Sequence, residues 1–178
     1  MKTINVPTTD QLSPESNALL ATFIKRVGKI PNLYATIGYS SNALKATLSF
    51  EEDLKHGIFS AKEQEAIHFV VSQVNGCDYC LAAHSLLAMK RGYSKEETLD
   101  LRRGLAVDPK LQTALQVAKA MTENKGNVGD QLKDAFFSAG YNEAALMELA
   151  GLVTLRTFTN YVFALTKIPV DYPLAERI

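Results

Sequence analysis

Glu65-Ala66-Ile67-His68-Phe69-Val70-Val71-Ser72-Gln73-Val74-Asn75-Gly76-Cys77-Asp78-Tyr79-Cys80-Leu81-Ala82-Ala83-His84 reads as a helix, a break and a second helix. Ile67, Val70, Val71 and Val74 make the first helix apolar over much of its circumference, so it belongs in the centre of a bundle. Asn75-Gly76 stops it and leaves Cys77 at or near the start of a second helix over residues 78 to 91. Both cysteines of the chain lie here as a C-x-x-C pair, and His84 follows Cys80 by four residues. On a helix that spacing stacks imidazole and sulfur one turn apart on the same face. A sulfur at a helix start also meets unpaired N–H groups and the positive end of the dipole, and thiols so placed have pKa values of roughly 3.5 to 7.5 against about 8.5 when free. A hairpin folding back at Asn75-Gly76 brings Glu65 towards His84, where a carboxylate orients the imidazole.

The flanking sequence is punctuated as further helices. Ser13-Pro14-Glu15 offers an N-cap and a proline at the first helical position, with Leu19, Leu20, Phe23, Ile24 and Val27 at helical spacing before Gly28. A short turn follows Pro31, and Ser41 can cap a helix carrying Leu44, Leu48, Phe50 and Leu54. Ser60 with Glu63, and Ser94 with Glu97, form capping boxes; the second opens a charge-rich helix from about Lys95 to Gly104. Pro109 starts another amphipathic helix, Asp130 to Ala139 reads as helical, and Asn142 caps a long apolar helix from Glu143 to about Leu165. No stretch alternates like a strand, so the expected fold class is all-α.

With 178 residues, 47% of them hydrophobic, the chain can bury one core without disulfide staples, as a single domain over 1–178. Lys+Arg and Asp+Glu balance at 19 each and no basic run stands out, which argues against nucleic acid as a partner. The stretch Met1-Lys2-Thr3-Ile4-Asn5-Val6-Pro7 lacks the apolar core of a secretion signal, and no run approaches the roughly 20 apolar residues of a membrane span. The expected location is cytoplasmic, with no membrane partner, and there a C-x-x-C pair more often signals redox or metal chemistry than a structural disulfide.

Glu65, then Cys77-x-x-Cys80, then His84 resembles the core motif of the AhpD-like alkylhydroperoxidases, within the carboxymuconolactone decarboxylase superfamily. The decarboxylases proper lack the C-x-x-C pair, so its presence favours the thiol branch. The resemblance implies thiol-dependent reduction of hydroperoxides, with Cys80 as the attacking thiolate, Cys77 as the resolving thiol, and Glu65 and His84 as a proton relay. Mycobacterial-type members carry a histidine just before the second cysteine; here that place is Tyr79, a hydrogen-bonding substitute in the relay. The family also implies a hydroperoxide substrate, an external dithiol reductant that is lipoyl-protein or thioredoxin-like, and homo-oligomers of three or six subunits. A helical-hairpin repeat is expected, with the active motif in residues 60–92 and a degenerate copy at about 130–168. A weak echo accompanies it: Phe59-Ser60-Ala61 leads to Asp78-Tyr79-Cys80, and Phe137-Ser138-Ala139 to Asn160-Tyr161-Val162 at similar distance.

Two other readings use the same residues. Cys77, Cys80 and His84, with Glu65 or His68, can be written as a zinc site, but zinc sites usually draw ligand pairs from two loops and no second pair exists, so neither metal nor cofactor is expected. A helical oligomer whose cysteines only sense oxidants would have the same sequence. His68, one turn after Glu65, reads either as an active-site wall or, preferably, as a packed histidine with one hydrogen bond. His56 beside Gly57 suits a helix C-terminus. Arg156 sits in the apolar run Leu152 to Val162; unpaired burial would cost several kcal/mol, so a carboxylate partner is expected in the fold or across a subunit interface. Phe158, Tyr161 and Phe163 read as core or interface filling.

Overall fold

Helix caps divide the chain where the sequence punctuates it. The structure is a computed structural model that describes residues 3–178; Met1 and Lys2, within the stretch read for a secretion signal, lie outside the described residues. After a 3-10 turn at Thr9–Gln11 come α1 (Pro14–Val27), α2 (Asn32–Ile37), α3 (Ser41–Leu54), α4 (Ala61–Val74), α5 (Asp78–Lys90), α6 (Lys95–Arg103), α7 (Pro109–Glu123), α8 (Asp130–Ser138) and α9 (Glu143–Thr166). The fold is all-helical, with no strand among the described residues. None of their helices is long and apolar enough to cross a membrane.

The caps explain the starts. Ser13, Ser60, Ser94 and Asn142 each accept from the backbone N–H three residues on, and Ser60 and Ser94 complete their boxes with Glu63 and Glu97. At α3 the cap is Ser40, one residue before the expected Ser41: Ser40 is extended (φ −119°, ψ 110°) and accepts from Ala43 N at 3.2 Å, while Ser41 is already helical.

Helix α4 is the axis, packed against α5, α6, α7 and α9. From Gln64 to Ser72 every residue is buried, because neighbours cover the helix on all sides. Phe69, Val70, Leu115, Phe136, Leu149 and Leu152 belong to the larger apolar core around it. Each such side chain contributes about 1.5–3 kcal/mol on burial. A second, smaller cluster gathers Leu20, Leu33, Leu44, Phe163 and Ile168 around Cys77, Tyr79 and Cys80. It forms where α1, α2 and α3 meet the end of α9 and the segment beyond it.

The loop leading into α4 is held from α9. Glu148 accepts from the backbone N–H of Ile58 (2.7 Å) and Phe59 (2.9 Å). Its carboxylate lies so close over Gly57 that any Cβ there would collide with it. The echo segments sit at different points of their helices: Phe59-Ser60-Ala61 leads into α4, whereas Phe137-Ser138-Ala139 closes α8.

Candidate active site

The turn between α4 and α5 sets the cysteines. Gly76 takes φ +63°, and Cys77 N–H reaches back to Ser72 C=O at 2.9 Å, closing α4 in the manner of a Schellman turn. Cys77 thereby becomes the N-cap of α5, its sulfur accepting from Cys80 N–H at 3.3 Å. The two sulfurs lie 2.7 Å apart, both residues are free thiols, and each is 1% exposed. They are not equivalent. The Cys77 thiol donating to Cys80, and then the nearby positive charges of Arg156 and His84, outweigh burial and bring Cys80 down to about 6. Donation to Cys80 and burial push Cys77 up instead. The helix start therefore holds the Cys77 sulfur as a hydrogen-bond donor, and the more acidic Cys80 sulfur stands one turn in.

The hairpin also brings the carboxylate to the imidazole. Glu65 Oε2 lies 2.5 Å from His84 Nδ1, with Glu65 2% and His84 6% exposed. Since a carboxylate only accepts, Nδ1 carries the proton and Nε2 is left to exchange one. Arg91 Nη1 sits 3.3 Å from Glu65 Oε1. Burial alone would raise the Glu65 pKa, but the charge and hydrogen bond of His84, with Arg91 and Arg156, hold it below the usual carboxylate value. His68 packs its ring 4.8 Å from that of His84, and its Nδ1 lies 3.4 Å from Arg156 Nη2. A guanidinium only donates, so His68 Nδ1 accepts and the ring proton is on Nε2. Burial and the Arg156 charge keep this imidazole neutral, far below its ordinary pKa.

A cavity of about 480 Å³ opens onto these groups. Cys80, Glu65, His68, His84 and Arg156 line it, and Cys77 does not. Apolar walls come from Phe23, Leu54, Leu86, Leu87 and Leu155. Tyr79 also lines it, but its hydroxyl donates to Asp171 Oδ1 (2.6 Å) and accepts from Leu33 N–H (3.2 Å); neither Glu65 nor His84 is its partner. Asp171 pairs in addition with Lys29 at 2.8 Å, and Lys29 lies 4.2 Å over the Tyr172 ring. Tyr79, Asp171 and Lys29 thus form a latch that holds residues 171–173 along the cavity wall.

The ligands written for the alternative zinc reading are not grouped as one set among the described residues. The described residues that could hold a metal are Glu65, His68 and His84, whose ligand atoms lie within 4.8 Å of one another, without either sulfur. Glu65 and His84 Nδ1 are already bonded to each other, and Arg91 and Arg156 bring two positive charges to the same spot, an environment hostile to a cation. His56, in the turn just past the end of α3, is an exposed partner of Glu52 at 3.5 Å.

Sequence reasoning missed three contributions. Arg156 finds no carboxylate partner among the described residues: its named contacts are Thr159 Oγ1 (3.3 Å) and His68, and Glu51 and Glu65 act on it only at longer range. Of the two places expected for its carboxylate, the fold or a subunit interface, the fold supplies none among the described residues, and Arg156 lines the cavity. Asn160, one turn further along α9, binds Asn75 (2.9 Å) and Ser72 (3.3 Å) and stands beside both sulfurs. Tyr34, bonded to Glu51, closes the wall opposite. Only the isolated charge of Arg156 carried a signal in the sequence; the others needed the fold.

Residues 42–123 match the carboxymuconolactone decarboxylase family, a segment running from α3 to the end of α7. No curated protein sequence matches significantly. Among solved structures, an uncharacterized peroxidase-related protein from Silicibacter sp. TM1040 is 24% identical, with a TM-score of 0.81 over 93% of this chain and 90% of that one. An alkylhydroperoxidase AhpD core protein from Ralstonia eutropha JMP134, also uncharacterized and peroxidase-related, is 17% identical, with a TM-score of 0.83 over 93% and 90%. The debrominase Bmp8, in complex with 2,3,4-tribromopyrrole, is 16% identical, with a TM-score of 0.80 over 96% and 92%. At such identities the likeness is one of fold.

Proposed function

We propose that this chain, an AhpD-like member of the carboxymuconolactone decarboxylase superfamily, reduces hydroperoxides through a dithiol–disulfide cycle. The observation that carries the reading is a cavity that reaches Cys80 but not Cys77, with the second sulfur only 2.7 Å behind the first. A debrominase shares the fold, so the reading rests on these sulfurs and not on the fold.

In the proposed cycle the Cys80 thiolate attacks the distal oxygen of the peroxide. The S–O bond forms as the O–O bond breaks, sulfur is oxidised by two electrons, and the alkoxide takes a proton from the His84–Glu65 pair to leave as alcohol. Cys77 then attacks the Cys80 sulfenic acid; a disulfide forms and hydroxide departs as water with the Cys77 proton. An external dithiol, such as a lipoyl-protein or thioredoxin-like partner, reduces the disulfide and restores both thiols. Tyr79 serves as wall and latch, since its hydroxyl is committed to Asp171 and Leu33. On the outer face of α9, Met147, Phe158, Tyr161 and Leu165 leave an exposed apolar stripe, which the proposal assigns to contact between copies of the chain.

The test is a count of free thiols before and after one equivalent of cumene hydroperoxide, with metal content on the same sample. Loss of both thiols, a Cys77–Cys80 disulfide and no stoichiometric metal are expected. Unreactive thiols with about one zinc per chain would overturn the reading in favour of a metal site.

A further inference from the structure

Two hydrogen-bond donors on the cavity wall have nothing to donate to. His68 Nε2 and Arg156 Nε are both buried and lack a partner among the described residues, although their side chains are only 8% and 5% exposed. Buried donors are nearly always satisfied, and one left open beside a cavity is an address for a ligand atom. The two are coupled: Arg156 donates to His68 Nδ1, which holds the His68 proton on Nε2 and aligns the groups as a unit. They come from different helices, α4 and α9, and both share the cavity with Cys80. Glu65 and His84 are not in this position, because each is already engaged with the other.

We infer that His68, through the Nε2–H whose tautomer and direction Arg156 fixes from the other ring nitrogen, grips the proximal oxygen of the hydroperoxide and stabilises the alkoxide leaving it, with Arg156 as its positioning residue. The inference rests on the peroxidase reading and extends it. When Cys80 takes the distal OH, the electron pair of the O–O bond passes to the proximal oxygen, which becomes RO⁻ inside a largely apolar cavity. Unsupported charge there is costly, and fixed donors aimed at developing charge are what lowers the barrier. The neutral imidazole N–H of His68 supplies a bond to that oxygen, and the guanidinium behind the ring, on Nδ1, fixes its direction and adds positive charge, while the proton itself comes from the His84–Glu65 pair. The buried charge of Arg156 thereby serves both anions of the reaction, the Cys80 thiolate directly and the leaving oxygen through His68.

Stabilising the leaving oxygen and stabilising the sulfur anion are separable experimentally, because alkylation needs only the anion. In a Cys77→Ser background, the second-order rate of Cys80 oxidation by cumene hydroperoxide is compared with its rate of alkylation by iodoacetamide. Both are read at a pH on the alkylation plateau, for the otherwise unchanged protein, Arg156→Met, Arg156→Lys and His68→Phe. Each variant is expected to lose peroxide reactivity by on the order of 10- to 100-fold while alkylation stays within about threefold. His68→Phe, on the other helix, keeps the test open if Arg156→Met does not fold, and circular dichroism identifies that case. Parallel loss of both rates would assign the pair to the sulfur alone and overturn the inference, as would no loss of either. If the unchanged protein is alkylated but not oxidised, the peroxidase reading itself fails, and this inference falls with it.

Discussion

The two sides of the cavity have different origins. One side comes from the α4–α5 hairpin, where Glu65, His68, Cys80, His84 and Arg91 occupy fewer than thirty consecutive positions and meet through helical spacing and one tight turn. The other is gathered from distant points: Leu33 and Tyr34 on α2, Arg156 on α9, and Asp171 and Tyr172 beyond α9. The first side carries the groups to which the proposed cycle assigns proton and electron exchange. The second decides what surrounds them, in charge, volume and access. A local spacing rule can bring a nucleophile and its base together, but the positive charge beside the sulfur and the walls of the cavity require the whole fold.

Predictions test this division from its strongest point downward. Cys80→Ser should abolish turnover with peroxide and dithiol, a loss of at least about a thousandfold in a coupled assay. Cys77→Ser should also stop turnover yet still yield one sulfenic acid, detected at Cys80 by a dimedone-type probe and mass spectrometry. Absence of labelling at Cys80 would cancel the proposed roles.

Glu65→Gln and His84→Gln should keep the fold and slow peroxide consumption by on the order of 100-fold, as expected for losing a positioned proton carrier. If His84→Gln instead unfolds the protein, judged by circular dichroism, the hairpin pair is a structural element and the division fails on its chemical side.

The distant side should move the pH profile. Cys80 is lowered to about 6, so the reactive thiolate is present above that pH and lost as the pH falls through it. Iodoacetamide alkylation in the Cys77→Ser background should therefore rise with pH, and Arg156→Met, which removes a positive charge near the sulfur, should shift its midpoint upward by up to about one unit relative to that background. An unmoved midpoint would mean that α9 contributes nothing to the acidity of the sulfur.

The smallest effect belongs to the latch. Tyr79→Phe should cost about 1 kcal/mol of stability, measured by denaturant unfolding, and change KM more than kcat. A fall in kcat as large as that of His84→Gln would return Tyr79 to the proton relay suggested by its place before Cys80.

What could be read in advance follows the same division. The helix starts were legible because Ser60-x-x-Glu63 and Ser94-x-x-Glu97 are local devices, and the Glu65–His84 contact because Asn75-Gly76 makes a turn whose geometry is nearly determined. Which cysteine is the more acidic was not legible from the helix-start argument. That argument favours the N-cap sulfur, whereas the balance is set first by the Cys77 hydrogen bond and then by the charges of Arg156 and His84, all acting on Cys80. Arg156 stood out as a charge in an apolar run, but its surroundings depend on how α9 lies across α4. Tyr79 was read by position as a relay member; its partner Asp171 lies 92 residues away, beyond any local pattern.

The latch of Tyr79, Asp171 and Lys29 joins the hairpin to a segment outside the helical core through a few side-chain contacts. In evolutionary terms these are two parts of one chain that can vary separately. Substitutions between residues 169 and 173, or along α1 and α2, can reshape the mouth of the cavity without disturbing the spacing that keeps two sulfurs and a carboxylate–imidazole pair together. A lineage built in this way can acquire new substrates by drift at the rim while its reactive centre is passed on unaltered.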